Sequence, residues 1–342
     1  MIESYYLWGA GSVGKRALEY LLPLGILKGI IDNDHSKQGQ VLSGLTISRY
    51  DSIKTHLKET GVIIAHFSPR ETEQILRRDQ ITHWRLAEFI TTWFWAKKQQ
   101  HAIGFLDLPI TTFCTLSCID CMQYVTSRPK HDVPFKSLTR ELDALFRCVS
   151  FVGEMSIIGG EPFLYKQLPD ILDYLVDNYR DRIGSLVITT NGTVTPETRT
   201  LERCSKANVF ISVSDYSEAI THLGERIAKL ELMAKEAGIR IERKRWGWFA
   251  PGIFNTDSDP AECRLSHMQL AEGKLWRCTL MAAGYFAKHC TAISTHDYYD
   301  LSYEEGARIH DFLSGSNQTE RTSQCRKCKF PSEVHIPCAR QV

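Results

Sequence analysis

Between residues 104 and 244, short apolar runs alternate with amphipathic helical patterns, and this alternation restricts the fold more than any other feature. The strand candidates are Gly104–Thr112, Met155–Ile158, Leu186–Thr189, Phe210–Ser214 and Ile239–Lys244. Helical patterns fill the gaps at Leu138–Val149, Leu168–Tyr179, Thr195–Ala207 and Glu225–Ala237. A strand, a helix and a second strand in series return the chain in the same direction, so repeated units predict a parallel sheet with right-handed crossovers. The regularity fits a partial β/α barrel, in which chemistry gathers at the C-terminal strand ends. The conspicuous motifs of this chain fall at those ends.

The region from 1 to 98 repeats the alternation on a smaller scale. Tyr5-Tyr6-Leu7-Trp8 predicts a buried strand, with Gly9-Ala10-Gly11-Ser12-Val13-Gly14 after it and a helix through Leu22. Strands at Gly29–Ile31 and Val62–Ala65 and a helix at Glu71–Arg78 complete an α/β pattern with a parallel sheet. Gly9, Gly11 and Gly14 lie between a strand and a helix, and Asp32 ends the next strand, which is the setting of a dinucleotide-binding fingerprint. The first two glycines allow a tight turn and close approach of a phosphate to a helix N-terminus. Asp32 can accept hydrogen bonds from a ribose. The segment also resembles the small Rossmann-like domain that precedes some bacterial sugar-modifying enzymes, including acyltransferases that bind nucleotide sugars. The alternative is that the glycines only pack helix on strand, leaving the domain a structural or docking role.

Composition narrows the functional classes. The chain has 342 residues, 43% hydrophobic and 24% charged, with a net charge of +1, the balance of a folded globular protein. Its densest basic run, Arg240 to Arg245, suits a solvated strand edge or an anion contact, so no nucleic-acid partner is expected. No run of 18 apolar residues predicts a membrane span, and Met-Ile-Glu-Ser-Tyr-Tyr lacks the basic start and apolar core of a signal peptide. A cytoplasmic location is the expectation. Eleven cysteines in a reducing compartment favour metal binding over disulfides. None precedes Cys114, three fall within eight residues, and a second group runs from Cys263 to Cys338. Cys148 and Cys204 stand alone in helical patterns and suit buried apolar roles.

Cys114-Thr-Leu-Ser-Cys118-Ile-Asp-Cys121 follows the first barrel strand. Three thiolates around a cube of four irons leave one iron open to chelation, whereas a structural zinc takes four protein ligands. This loop resembles that of the radical S-adenosylmethionine (SAM) superfamily. The resemblance implies a partial (β/α)6 barrel and a 4Fe-4S cluster on Cys114, Cys118 and Cys121 that cleaves SAM to a 5′-deoxyadenosyl radical. It also implies flavodoxin or ferredoxin as reductant. Gly159-Gly160-Glu161-Pro162 is similar to the family's element that contacts the SAM amino group. Thr189-Thr190-Asn191-Gly192-Thr193 resembles the turn closing its third strand, which brings in Thr190 and Asn191. Ser212 and Ser214, at the end of the fourth strand, suit contacts to ribose or the SAM carboxylate. Asp215 and Tyr216 extend toward the mouth. Asp215 is the candidate catalytic residue, with His267, His289 and Arg243 also eligible. The family usually has an aromatic residue immediately before the third cysteine; here Asp120 stands there, and Tyr124 is the candidate to fill the space beside adenine.

The region from 255 to 342 is irregular, with turn signals at Asp259-Pro260, Ser314-Gly315-Ser316-Asn317 and Pro331. Nine residues separate Cys263 from Gly273 and four separate Gly273 from Cys278, with a hairpin predicted to turn at the glycine. Cys325-Arg-Lys-Cys328 follows. This arrangement resembles the Twitch domain, a shortened SPASM domain. The resemblance implies a second, auxiliary 4Fe-4S cluster on Cys263, Cys278, Cys325 and Cys328. A four-cysteine zinc site would use the same spacing. Cys290 and Cys338 do not complete a further set.

The three regions, 1–98, 99–254 and 255–342, therefore suggest a Rossmann-like domain, a radical SAM partial barrel and an auxiliary-cluster domain. The reaction favoured is oxidation of a carbinol on a sugar, aminocyclitol or nucleotide sugar. The alternatives are crosslinking or epimerisation of a ribosomally made peptide, and a noncatalytic SAM- and cluster-binding sensor. The substrate is accordingly a small molecule, nucleotide-linked in one version, or a peptide.

Overall fold

The first strand, β1 (Tyr5–Trp8), is buried because it lies in the middle of a sheet with neighbours on both sides. A computed structural model describes residues 2–66, 69–245, 248–249, 263, 266–291, 296–302, 308–315, 321–328, 335–336 and 338–341. The turn signals at Asp259-Pro260, Ser316-Asn317 and Pro331 lie outside the described residues. The chain divides into two compact units, Met1–Gly104 and Phe105–Val342.

In the first unit β1 leads through α1 (Ser12–Leu21) to β2 (Leu27–Ile31). The hairpin of β3 (Val41–Leu42) and β4 (Leu45–Ser48) and the short α2 (Tyr50–Ile53) follow. Then come β5 (Gly61–Ile64), α3 (Pro69–Arg78), β6 (His83–Arg85) and α4 (Leu86–Lys98). The sheet order is β3-β4-β2-β1-β5-β6, parallel except for β3. Leu7, Ile30, Ile31, Val62 and Ile63 have no exposed surface, the continuous apolar burial of strands covered on both faces. The expected strands and helices are all present. The sequence reading missed β3, β4, α2 and β6, which are short, and α4, whose sequence LAEFITTWFWAKK has no clean polar face.

The second unit begins on β7 (Ala102–Thr111), which starts in the first. Its strand–helix series is α5 (Phe135–Cys148), β8 (Phe151–Gly159), α6 (Leu168–Tyr179), β9 (Ile183–Thr190), α7 (Thr198–Lys206), β10 (Val209–Ser214), α8 (Leu223–Glu236) and β11 (Arg240–Lys244). Helical periodicity sets which residues face the sheet: Leu168, Ile171, Leu172 and Leu175 of α6 are buried, spaced three, four and seven apart. Each such side chain contributes about 1.5–3 kcal/mol by leaving water. Cys204 is fully buried on α7, and Cys148 ends α5.

Beyond the short β12 (Trp248–Phe249), the chain forms β13 (His267–Ala271), β14 (Lys274–Trp276), α9 (Thr279–Phe286), β15 (Tyr298–Asp300), α10 (Ile309–Gly315) and β16 (His335–Ile336). β12 pairs antiparallel with β16. The large sheet runs β11-β10-β9-β8-β7-β13-β14-β15. The sixth parallel strand is thus β13, added beside β7 at the side away from β11. It comes from the cysteine-rich region, not from the strand–helix series. The expected hairpin joins β13 to β14 through Glu272 and Gly273, at φ 53° and 71°, a turn needing two positive φ values. Ser314-Gly315 is not a loop but the end of α10.

Candidate active site

The cysteine loop leaves the end of β7, and the end of β8 is bonded to it. Gly160 donates its backbone N–H to Thr111, and Glu161 donates to Phe113, both at 2.8 Å. Glycine is required at 160: a Cβ there would stand 2.0 Å from the Phe113 carbonyl oxygen and 2.9 Å from the Cys114 Cβ.

Glu161 has no exposed surface. Its carboxylate accepts from the Thr190 hydroxyl at 2.8 Å, the Asn191 N–H at 2.9 Å and the Phe163 N–H at 3.1 Å. Burial pushes its pKa up to about 7 despite these donors. Asn191 in turn donates Nδ2–H to Cys114 Sγ at 3.5 Å and to the Thr115 hydroxyl at 3.4 Å. Three short motifs, 76 or more residues apart where loop meets β9 end, are therefore joined in one hydrogen-bonded chain. Thr193 secures it by donating to Asn191 Oδ1 and by contacting Thr115.

Cys114, Cys118 and Cys121 meet around Leu116 and Ala339, together with Tyr216 and Ile220. The Leu116 N–H points at Cys114 Sγ, 3.4 Å away. Burial pushes the Cys118 thiol up to about 11, so a metal binding there must displace its proton. Ser212 and Ser214 are buried two residues apart on one face of β10, as strand alternation requires.

Asp215 is placed differently from the catalytic expectation. It is 3% exposed and accepts from Arg243 Nε at 2.7 Å, Arg245 Nε at 3.0 Å and the Ser217 N–H at 2.9 Å. Burial opposes its charge, but these donors outweigh burial and hold its pKa below the usual carboxylate range. Such a carboxylate is a poor base; it anchors the β10 end to β11. The basic run at Arg240–Arg245 thus meets an internal anion. His267 is also paired, with Asp107 at 3.0 Å, and stacks on Phe105.

Tyr124 meets residues of the third region. It packs on Leu280 and Met281 with Cys278, Cys290 and Cys328, and its ring lies 4.7 Å from His289. Asp120, in the place where an aromatic was anticipated, has φ 64° and a buried Oδ2 with no partner among the described residues.

The third-region cysteines converge as well. Cys278, at the start of α9, is pushed up to about 11 by burial and lies within electrostatic reach of Cys263, Cys325 and Arg321. Cys328 packs near it on Leu280 and Met281. Arg321 Nη2 donates to Cys263 Sγ at 3.4 Å, and the Thr322 N–H to Cys325 Sγ at 3.2 Å. Buried Asp297 accepts from the Ser323 N–H and hydroxyl, both at 2.7 Å, holding the loop before Cys325. Among the described residues no three His, Cys, Asp or Glu side chains converge as the shell of one metal ion; thiolates of a cube bind separate irons. Cys290 joins this group and was missed because nothing in its spacing marks it.

In the first unit, Gly11 is the N-cap of α1 with no side-chain cap, and a Cβ added there would meet nothing within 4 Å. Gly14 packs helix on turn: a Cβ would stand 1.8 Å from the Gly9 oxygen. Asp32 accepts from the Ala10 N–H at 2.7 Å and from Lys37 Nζ at 3.4 Å. The three glycines therefore divide between packing and an open turn.

Residues 108–241 match the family model of the Radical SAM superfamily. The segment from 108 to 241 is therefore a radical SAM domain. Its cofactors are a 4Fe-4S cluster and SAM, and the donor set fits them: three clustered thiolates, two with N–H donors within reach, beside a buried carboxylate. An uncharacterized protein of Methanocaldococcus jannaschii is 29% identical over 110 residues, 32% of this chain and 37% of that protein. The chain thus spans little more than a third of that relative's length. Two solved structures are similar. BtrN in complex with AdoMet and 2-DOIA has 15% identity and a TM-score of 0.46, covering 70% of this chain and 96% of BtrN. Streptococcus suis SuiB bound to the precursor peptide SuiA has 21% identity and a TM-score of 0.35, covering 52% of this chain and 38% of SuiB. No helix among the described residues is long and apolar enough to cross a membrane.

Proposed function

We propose that this radical SAM enzyme oxidises a carbinol carbon of a sugar, aminocyclitol or nucleotide sugar. The observation that carries this reading is the second gathering of cysteines against Tyr124, three residues past Cys121. Hydrogen abstraction leaves a carbon radical that must lose one proton and one electron to become a ketone. Cys263, Cys278, Cys325 and Cys328 are the proposed holders of an auxiliary 4Fe-4S cluster that takes the electron. In the primary site Cys114, Cys118 and Cys121 hold the SAM-binding cluster, which supplies the electron for SAM cleavage.

The chain's own residues bind and orient. The glycine backbone of β8's end lets SAM approach closely, and the ionised form of Glu161 offers its ammonium a buried partner. Thr190 and Asn191 hold that carboxylate in place from β9. Ser212 and Ser214 present hydroxyls from β10, and Asp215 keeps the segment carrying Tyr216 against the cysteine loop. In the first unit the open turn at Gly11 supports a nucleotide-linked substrate, because backbone N–H groups of an uncapped helix start favour a phosphate. Asp32 already accepts from the turn and retains lone pairs for a ribose hydroxyl.

Mass analysis of the product in light and heavy water tests the reaction. Oxidation yields a product two mass units lighter with no deuterium installed. A product of unchanged mass that gains one deuterium in heavy water is an epimer and rejects the proposal, as does turnover confined to peptides. Nucleotide sugars should also raise the melting temperature by mass action, and Gly11→Val should remove that rise without affecting SAM cleavage.

A further inference from the structure

A segment far along the chain closes over the cysteine loop. Ala339, 1% exposed, packs on Leu116 and Cys118. Gln341 forms an antiparallel bridge with Cys118, and the Ile119 N–H donates to the Arg340 carbonyl at 2.7 Å. The Gln341 amide uses both of its ends on the loop. Its Oε1 accepts from the Ser117 N–H at 2.7 Å, and its Nε2–H points at Cys118 Sγ, 3.4 Å away. A further bond from Nε2 to the Ala339 carbonyl, at 2.6 Å, fixes which end of the amide faces the sulfur. A carbonyl oxygen cannot occupy that end, because it would face both Sγ and another carbonyl.

We infer that Gln341 is a positioning residue of the cluster, donating a hydrogen bond to the Cys118 thiolate and thereby raising the cluster's reduction potential. The inference rests on Cys118 being a cluster ligand. An N–H donor withdraws charge from a ligand sulfur, and reduction adds charge to the cluster, so the donor stabilises the reduced state more than the oxidised one. Cys118 is buried whereas Cys114 and Cys121 are half-buried, so water reaches its sulfur less than theirs. The same side chain also holds the loop through Ser117, and two substitutions separate these roles. Gln341→Glu keeps an acceptor for Ser117 and places a negative oxygen where the donor was. Gln341→Leu removes both contacts.

The test is a potentiometric titration of the reconstituted full chain without SAM, followed by electron paramagnetic resonance. The relevant signal is the one lost in Cys114→Ala. The expected result is a more negative midpoint potential in both variants at unchanged iron content, with the larger shift in Gln341→Glu. Full iron content with a wild-type potential in both variants overturns the inference. If neither variant holds iron, the reduced wild-type protein decides. With 15N in its glutamine amides it should show nitrogen hyperfine coupling to the cluster, and absence of coupling overturns the inference. Cys118→Ala separates the two claims: if that variant keeps the signal intact, it is the assignment of Cys118 as a ligand that fails.

Discussion

The two cysteine groups differ in what brings them together. Cys114, Cys118 and Cys121 sit on one short loop pinned by the ends of β7, β8 and β9 and by the Gln341 segment. Cys263, Cys278, Cys325 and Cys328 are carried by unlike pieces: the residue stretch before β13, the first turn of α9, and a one-turn 3₁₀ helix at Cys325–Lys327. In the first group the sheet supplies the geometry and the metal joins a formed site. In the second, the described strands carry none of the four cysteines, and the proposed auxiliary cluster would itself supply much of the ordering, as in small metal-dependent domains.

The largest effect expected is at the first group. Replacing Cys114, Cys118 and Cys121 by Ala should abolish SAM cleavage and remove about half of about eight irons per chain. The melting temperature should change little, since the hydrogen bonds between β8's end and the loop backbone persist. Loss of the folded barrel in that variant would break the comparison. Next is the pair Cys325→Ala and Cys328→Ala. It should also remove about half of the iron, but here with a lowered melting temperature. Formation of 5′-deoxyadenosine should survive while oxidised product is lost. About four irons plus one zinc in the wild-type protein would assign this group to zinc instead.

How much of this was legible in the sequence follows the same division. The strand-end motifs were readable because strand–helix alternation fixes where strand ends gather, and Cys114, Glu161 and Asn191 do lie in one hydrogen-bonded chain. The position of β13 was not readable. Its pairing with β7, such as His267 against Phe105, joins residues some 160 apart with no crossover pattern to announce it. The partners of Asp215 were also hidden, since alternation on an edge strand shows that Arg243 and Arg245 share a face but not which anion they meet. Gln341 lies 223 residues from Cys118, and a lone glutamine carries no motif.

A smaller effect separates charge from scaffold within the first site. Glu161→Ala removes the partner of a buried ammonium and should weaken SAM binding by about 2–5 kcal/mol, with iron content retained. The pH dependence gives the sign. With its pKa pushed up to about 7 by burial, Glu161 is protonated in the free protein below that pH and must release the proton when SAM binds. Affinity should therefore fall as pH drops below about 7, by at most tenfold per unit. It should level off above that pH. Glu161→Gln, which keeps the side chain's size, should show no such dependence. Calorimetric titration in two buffers of different ionisation enthalpy measures the proton directly, and pH-independent affinity in the wild type would remove Glu161 from the contact.

The remaining effect, on stability, concerns how the second group's hairpin is fastened. Glu141 of α5 is buried, and the Gly273 N–H donates to it from the β13–β14 turn that precedes Cys278. Burial pushes its pKa up to about 7, so the fold prefers its neutral form while the unfolded chain ionises near the ordinary value of about 4.3. Between those values the folded state binds more protons, and stability from this site falls as pH rises, becoming constant above about 7. Gln at 141 keeps an acceptor for Gly273 without the charge. Glu141→Gln should therefore be more stable than wild type by on the order of 3–4 kcal/mol at pH 8, a gain that falls below about 1 kcal/mol near pH 4.5. Denaturant unfolding of the reconstituted protein at both pH values measures the difference. If the gain survives loss of the second group's iron, the hairpin is held by the barrel. If it vanishes with that iron, the hairpin is ordered by the bound group.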